Sequence, residues 1–368
     1  MRLSMISAAL VAALIGFGST IALILAAAAA LDATAAQTAS WVCALCLMMA
    51  VGSIGLSYAK RVPMVLAWST PGAALIAATT GVSLAEAVGA FVLCGVLLML
   101  TSAVKPLGRL VGRIPDGVAA AMLAGVLLPF CLKGVAAAQG LPLLVAPMVA
   151  VFLLVRLKNP AVAVLAAFGL GLGLAYATGA AHWPAQALVW PRLTFIAPSF
   201  RLDVLLGLGL PLYLVTMASQ NLPGFAILRA AGYAPPVPAA LGTTGALSTF
   251  GGFFGAHTIC MASITAAICL GEETHPDPKQ RWKTGVVYGV IYLALALLSP
   301  MILPLLAALP EALVTALVAL ALLGPLMGAM VGAFTPVPTR FASVVTLVVT
   351  ASGVAIFGIG AAFWGLAA

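Results

Sequence analysis

Long apolar runs recur along the entire chain and leave no polar stretch long enough for a soluble domain. Of the 368 residues, 64% are hydrophobic and 7% are charged, whereas soluble domains carry about 25% charged residues. A membrane-spanning helix needs about 20 residues, so the chain has room for roughly 12 to 14 of them. The strands of a membrane barrel would alternate apolar and polar residues, and this sequence does not. The chain is therefore predicted to be an all-α polytopic membrane protein.

The apolar runs predict fourteen spans separated by short loops. They cover residues 5–31, 38–57, 62–80, 84–103, 114–136, 141–156, 160–179, 204–228, 236–251, 255–270, 284–305, 310–333, 340–353 and 355–368. The first run is longer than the apolar core of a signal peptide, which has about 7–15 residues. We therefore interpret it as a span.

The basic residues indicate how the spans are oriented. With the N-terminus in the cytoplasm, only Lys133, Arg192 and Arg201 fall in outside loops, and every other Lys and Arg falls inside. This asymmetry is what the positive-inside rule requires, and fourteen spans then place both termini in the cytoplasm. The basic residues are spread over many short loops, so the expected partner is the lipid bilayer and not a nucleic acid.

The two halves of the chain resemble each other. Pro115-Asp116 opens the fifth span, and Pro310-Glu311 opens the twelfth, 195 residues later. Thr70 and Thr265 each lie 45 residues before those prolines. Because seven spans is an odd number, the second half must be inverted relative to the first. We expect an inverted repeat of residues 1–180 (spans 1–7) and 200–368 (spans 8–14), an architecture that recurs in transporters.

Spans three and ten are interrupted at corresponding places. Residues 62–75 and 255–268 each begin with a stretch suited to extended backbone, pass through small polar residues and continue as an Ala-rich run. Each is predicted to be a short strand followed by a half-helix. Non-helical backbone at membrane depth must be buried in protein or line a cavity, and paired broken spans point to the binding site of a transporter.

A half-helix that begins at mid-membrane presents unpaired N–H groups and the positive end of its dipole. Ser69 or Thr70 is a suitable N-cap, with Pro71 in the first turn. Neither broken segment contains Lys or Arg, so the pair favours a small carboxylate over a multiply charged anion. Trp68 and Met261 are positioned to flank a ring attached to that carboxylate.

Two further features add polar groups to this region. Gln220 and Asn221 end an apolar run before Pro223, and they either bond neighbouring helices or bind substrate. His257 is the histidine at membrane depth, so it is the candidate for proton coupling; the alternative is a neutral ring bonded to a carbonyl group. The predicted substrate-binding residues are Trp68, Ser69, Thr70, Pro71, Gly72, Gln220, Asn221, His257, Thr258, Met261, Ala262, Ser263 and Thr265.

No metal site, cofactor or enzymatic centre is expected. Cys43-x-x-Cys46 has the spacing of a metal or redox pair, but no companion pair or nearby His accompanies it, and zinc requires about four ligands. Within the apolar runs there is no nucleophile–base pair or carboxylate dyad.

Several motifs together resemble the BenE family of benzoate/proton symporters. They are Gly16-Phe-Gly-Ser19, Ala39-Ser-Trp41, Ala67-Trp-Ser-Thr-Pro-Gly-Ala-Ala74, Ser219-Gln-Asn-Leu-Pro-Gly224, Phe250-Gly-Gly-Phe-Phe-Gly-Ala-His-Thr258 and Ala362-Phe-Trp-Gly365. The resemblance covers essentially the whole chain. It implies proton-driven import of benzoate, or of a similar aromatic acid, across the bacterial inner membrane.

The layout is also similar to that of nucleobase permeases with seven-plus-seven inverted repeats. That likeness implies a core domain of spans 1–4 and 8–11 and a gate domain of spans 5–7 and 12–14. Those permeases carry glutamates in spans eight and ten, where this chain has Gln220, Asn221, Ser263 and Thr265. The missing acids suit an anionic substrate, which a carboxylate would repel.

The leading hypothesis is a proton-coupled symporter for an aromatic carboxylate, with alternating access between core and gate. The alternatives are a passive anion channel of the same architecture and a transporter for a nucleobase or another weak acid. The sequence leaves the exact cargo and the proton stoichiometry open, and it leaves open whether the chain forms a homodimer.

Overall fold

The chain folds into a bundle of helices in which two spans are broken. A computed structural model describes residues 2–104, 115–182, 190–262, 264–272, 274–354, 356 and 361–368. The helices of the first half are α1 (Leu3–Ala30), α2 (Ala35–Lys60), α3 (Thr70–Ala77), α4 (Leu84–Ala103), α5 (Asp116–Ala137), α6 (Pro142–Lys158) and α7 (Pro160–Ala177). Those of the second half are α8 (202–230), α9 (Val237–Gly252), α10 (Ile264–Leu270), α11 (Trp282–Ala307), α12 (Glu311–Phe334), α13 (Arg340–Ala351) and α14 (Ala361–Ala367).

The helices correspond in order to the fourteen predicted spans. In the described part of the chain, seven helices are long and apolar enough to cross a membrane. The last two predicted spans correspond to helices of 12 and 7 residues, each shorter than the roughly 20 residues that a bilayer requires. The predicted cytoplasmic residues Lys105, Arg109 and Arg113 lie outside the described residues.

The most extensive helix interfaces join elements that are distant in sequence. Helix α5 packs along α12, α2 along α11, and α4 along α9. Small side chains make these approaches close. A Cβ added at Gly95 of α4 would lie 2.8 Å from the carbonyl oxygen of Gly245 on α9. The buried core is continuous across these pairs.

The two broken spans meet through a short antiparallel pair of strands. Strand β1 (Leu66–Trp68) pairs with β2 (Ile259–Met261), with Ala67 opposite Cys260. The N–H of Ala262 donates to the carbonyl of Val65 at 2.9 Å and extends the pairing by one bond. Because each strand satisfies the backbone groups of the other, both can leave the helical conformation at membrane depth.

Helix α8 departs from the simple span expected at 204–228. It contains π-helical turns at Leu205–Gly209 and Met217–Asn221. A proline follows each turn by two residues, Pro211 and Pro223. A proline cannot donate to the carbonyl four residues before it, so the backbone widens there. The second π turn contains the polar residues Ser219, Gln220 and Asn221.

Candidate functional site

A cavity of about 950 Å³ lies at the N-terminal end of α3. Helices α1, α8 and α11 contribute residues to one part of its wall, and α5, α6, α7 and α12 contribute to another. The predicted site residues that line it are Trp68, Thr70, Pro71, Gln220, Ala262 and Thr265. Both broken segments therefore border the same space.

Ser69 caps α3 from behind the cavity wall. Its Oγ accepts hydrogen bonds from the N–H of Gly72, at 3.1 Å, and from Oγ1 of Thr216 on α8, at 2.9 Å. The Ser69 side chain is fully buried. The next residue after Pro71 must also be small, since a Cβ at Gly72 would lie 2.5 Å from Cδ1 of Leu212.

The cap leaves one backbone donor of the first turn unpaired. The N–H of Gly72 is taken by Ser69 Oγ and that of Ala73 by the Ser69 carbonyl, at 2.8 Å. Pro71 has no N–H. The N–H of Thr70 has no acceptor among the described residues. The sequence predicted a set of free N–H groups here, and the structure reduces that set to one donor together with the helix dipole.

An aromatic wall adjoins this helix end. The Trp68 ring lies edge-on to Phe17 and Tyr292, with centroid distances of 5.9 and 6.1 Å. Its Nε1 donates to Thr20 Oγ1 at 2.9 Å. The Tyr288 ring lies tilted against that of Tyr292, and its hydroxyl donates to the Leu66 carbonyl at 3.0 Å. Trp68, Tyr288 and Tyr292 thus present fixed rings to the cavity.

The polar run of α8 divides into two roles. Ser219 and Gln220 line the cavity, and the amide of Gln220 makes no hydrogen bond to a described residue. Asn221 is fully buried, and its Oδ1 accepts from the N–H of Met261 at 2.9 Å. Gln220 is therefore a cavity residue, whereas Asn221 holds strand β2 in place.

His257 is fully buried and does not line the cavity. Its Nδ1 accepts from Trp41 Nε1 at 3.2 Å, and its Nε2 lies 3.0 Å from the carbonyl oxygen of Ser69. An indole can only donate and a carbonyl can only accept. The ring is therefore neutral, with its proton on Nε2, and it connects α2 to the residue that caps α3.

Two further predicted residues of the second segment, Thr258 and Met261, lie behind the wall. The carbonyl of Thr258 accepts from the N–H of Ser69 at 3.1 Å. Met261 is buried on β2. A Cβ added at Gly224 of α8 would lie 2.5 Å from the Cβ of Met261. Met261 therefore packs against α8 and not beside the cavity. Ser263 lies outside the described residues.

The sequence did not single out several residues that line the cavity. They are Thr20, Arg156, Tyr288 and Tyr292, among others. Tyr288 and Tyr292 are four residues apart, a spacing that places both on one helix face, and this was the available signal. Within the described residues no group of three or more His, Cys, Asp or Glu is arranged to hold a metal ion.

Comparison with known proteins identifies the family. All residues, 1–368, match the family model described as "BenE: Benzoate membrane transport protein". The chain belongs to the BenE family. Membership confirms the family predicted from the motifs, and it confirms a transporter and not an enzyme.

Two proteins of similar sequence support this assignment. Inner membrane protein YdcO of Escherichia coli (strain K12) is 42% identical over 363 residues, which are 98% of this chain and 93% of that protein. The Benzoate membrane transport protein of Acinetobacter baylyi (strain ATCC 33305 / BD413 / ADP1) is 33% identical over 288 residues. That match covers 78% of this chain and 73% of the relative.

Solved structures show the same fold in more distant proteins. The transmembrane domain of the cyanobacterium bicarbonate transporter BicA aligns with a TM-score of 0.66 at 14% identity, over 100% of this chain and 99% of that one. Murine Solute Carrier 26 family member A9, an anion transporter in the inward-facing state, aligns with a TM-score of 0.63 at 14% identity, over 100% and 67%. The BenE chain therefore has the polytopic helical fold of these proteins.

Proposed function

We propose that this BenE protein imports benzoate, or a similar aromatic carboxylate, across the bacterial inner membrane by proton symport. The observation that carries the proposal is the junction of a helix N-terminus with an aromatic wall in one cavity. Thr70, whose N–H has no acceptor among the described residues, lines the same cavity as Trp68 and Tyr292. The name of the A. baylyi relative, Benzoate membrane transport protein, supports the substrate, and that of the E. coli relative, Inner membrane protein YdcO, supports the membrane.

The carboxylate would bind at the N-terminal end of α3. There the helix dipole favours negative charge, by about 0.3–1 kcal/mol when exposed and up to about 2 kcal/mol when partly buried. Thr265 and Gln220 would supply side-chain donors. The ring would pack against Trp68 and Tyr292, because aromatic pairs favour edge-on and offset contacts. No Asp or Glu is among the described residues of the lining, so nothing there repels an anion.

An inverted repeat of residues 1–180 and 200–368 is part of the proposal. Each helix of one half has an equivalent seven helices away in the other half. Replacing every helix by its equivalent turns the α2–α11 interface into the α9–α4 interface. The α5–α12 and β1–β2 contacts are unchanged by this replacement, because their two members are equivalents of each other. All four contacts are present, and this reciprocal pattern supports two halves related by a pseudo-twofold axis.

Alternating access would follow from movement of a core against a gate. The core would comprise α1–α4 and α8–α11, and the gate α5–α7 and α12–α14. The cavity takes residues such as Trp68 and Gln220 from the proposed core and Leu123 and Leu320 from the proposed gate. A binding site between two moving bodies is the arrangement that this mechanism needs. Both termini would lie in the cytoplasm, as the basic loops predict.

Proton coupling would act through His257. A proton added at Nδ1 would abolish its acceptor role and leave the buried Trp41 N–H without a partner, which costs about 1–3 kcal/mol. Protonation is therefore linked to the packing of α2 against Ser69 and the end of α3. In this arrangement the proton changes the position of the helix end that binds substrate, without direct contact between His257 and substrate.

Uptake of labelled benzoate into proteoliposomes under an imposed pH gradient tests the function. We expect saturable uptake that is faster with an acidic exterior and is inhibited by unlabelled benzoate. Absence of saturable uptake would refute transport, and ohmic currents without saturation would favour a channel. Stronger competition by uracil or by small aliphatic acids would change the cargo. A His257→Ala protein that keeps full pH-driven uptake would exclude His257 from proton coupling.

A further inference from the structure

One charged side chain, Arg156, belongs to the described lining of the cavity. It lies in the last turn of α6, and the adjoining residues Asn159 and Pro160 also line the cavity. The space therefore extends from the end of α3 to the turn between α6 and α7. Charge analysis of the sequence assigned Arg156 to a cytoplasmic loop and gave it no functional role.

The guanidinium of Arg156 has no acidic partner in the described part of the chain, where the ion pairs are those of Arg201 with Glu86 and Asp203. Its nearest aromatic ring is Phe152, 5.8 Å from Cζ to the centroid. A Cβ at Gly324 of α12 would lie 3.9 Å from Nη1. The guanidinium therefore lies near α12, and Gly324 leaves space beside it.

A cation near a helix C-terminus also stabilises the helix dipole, but this does not account for the position of Arg156. Lys158 lies in the same last turn, is exposed and is absent from the cavity lining. It supplies the same charge to the helix end without reaching the cavity. The two residues therefore separate the effect of charge on the helix from the effect of charge inside the cavity.

We propose that Arg156 is a specificity-determining residue that captures the carboxylate of the substrate at the α6–α7 end of the cavity. This inference rests on the proposed function and adds an anion-recognition group to it. A guanidinium binds a carboxylate through two parallel N–H···O bonds, which are stronger than neutral hydrogen bonds. A cleft with one sign of charge also concentrates counter-ions from solution. During import the anion would bind at the N-terminal end of α3 and then exchange to Arg156 on its way to the cytoplasm.

The test compares Arg156→Gln, Arg156→Lys and the matched control Lys158→Gln in proteoliposomes. Initial rates are measured against benzoate concentration at low and high ionic strength. For Arg156→Gln we expect KM to rise about tenfold or more, as for the loss of a charge-assisted hydrogen bond. We also expect a smaller change in kcat and a KM that no longer depends on salt. Arg156→Lys should recover part of the affinity, and Lys158→Gln should match the wild type.

Calorimetry on the detergent-purified proteins measures the binding of benzoate and of neutral benzamide. These measurements distinguish the proposal of transport from the proposed role of Arg156. Arg156→Gln should weaken benzoate binding and leave benzamide binding unchanged. A wild-type protein that binds benzoate without saturable uptake would refute the transport proposal alone. An unchanged benzoate affinity in folded Arg156→Gln, or an equal loss in Lys158→Gln, would overturn the role of Arg156. If Arg156→Gln does not fold, a benzoate KM in Arg156→Lys that equals the wild-type value at both ionic strengths would overturn it.

Discussion

The two broken segments share a pattern of strand and half-helix but differ in what their residues contact. In the first segment, Trp68, Thr70 and Pro71 line the cavity, and Ser69 between them does not. In the second, only Ala262 and Thr265 of the described residues do so, and His257 is buried against α2. Of the two segments, the first contributes more residues to the cavity lining, and the second lies behind it.

The difference shows that a repeated sequence pattern need not carry a repeated function. The second segment bonds directly to the first through the Ser69 N–H and carbonyl groups. Its strand is fixed in turn by side chains of other spans. Ser248 Oγ accepts from the Ile259 N–H at 2.8 Å, and Asn221 accepts from that of Met261. If the end of α3 binds substrate as proposed, it needs this fixed backbone behind it, and the second half of the chain supplies it.

The largest expected effect comes from truncating Trp68, and the comparison is with Met261, the other residue predicted to contact the substrate ring. Trp68→Ala removes an indole from the cavity wall, so benzoate affinity measured by calorimetry should fall at least about tenfold. Met261→Ala should lower the melting temperature, as a buried Met→Ala change costs about 2–5 kcal/mol, but should leave affinity near the wild-type value. Trp68→Phe, which keeps a ring, is the control. Equal loss of affinity in both alanine variants would refute the division of roles.

A second comparison concerns the arginines beyond the two half-helices. Arg281 is buried and donates from Nη1 to the Leu270 carbonyl, the end of α10, at 3.0 Å. Arg201 is exposed and donates to Gly81, beyond α3, at 3.4 Å. Arg281→Gln should destabilise the protein by about 1.5–3 kcal/mol, the range for hydrogen bonds to charged groups. Arg201→Gln should cost about 0–1 kcal/mol. Thermal unfolding in detergent measures both, and a larger effect at Arg201 would reverse the ranking.

The adjacent amides of α8 give a third test. Asn221→Leu leaves the buried N–H of Met261 unpaired and should cost about 1–3 kcal/mol of stability. Gln220→Leu should keep the melting temperature and weaken benzoate binding. The two variants carry the same chemical change one position apart, so each is the control of the other. Loss of stability in Gln220→Leu with none in Asn221→Leu would contradict the assignment.

The smallest effect is expected at Thr216, whose hydroxyl donates to Ser69 Oγ. Thr216→Val removes one hydrogen bond, worth about 0.5–1.5 kcal/mol, and should weaken benzoate binding a few-fold by loosening the cap of α3. The control is Thr244→Val on α9, whose buried hydroxyl bonds only carbonyls of its own helix. A weaker affinity in the control but not in Thr216→Val would remove the cap from the binding mechanism.

Local chemistry explains which parts of the site were predictable from sequence. Ser69, Thr70 and Pro71 are consecutive, and helix capping depends on residues that are this close in sequence. The strand-then-helix pattern of both broken spans was readable for the same reason. The motifs carried the family assignment, because each was specific in combination with the others.

Tertiary packing explains what the sequence did not reveal. Tyr288 and Arg156 reach the cavity only because α11 and α6 pack beside segments far away in the chain. Adjacent residues of a helix lie about 100° apart, so Gln220 and Asn221 point to different neighbours. The sequence alone does not say which of the two faces the cavity, because that depends on how α8 packs against β2 and the other helices. His257 attracted attention as a titratable group, and its two bonding partners, Trp41 and Ser69, both lie in the other half of the chain.

The pairing of β1 with β2 has a mechanical consequence. Each strand has only three residues, yet the register fastens one half of the chain to the other by backbone bonds at membrane depth. Pulling the two half-helices apart would break those bonds where no water can replace them. The ends of α3 and α10 must therefore travel together as one rigid piece. In the proposed transport cycle, the part of the site that the two strands carry would move as a unit, and the sliding surface would lie between this unit and the gate helices.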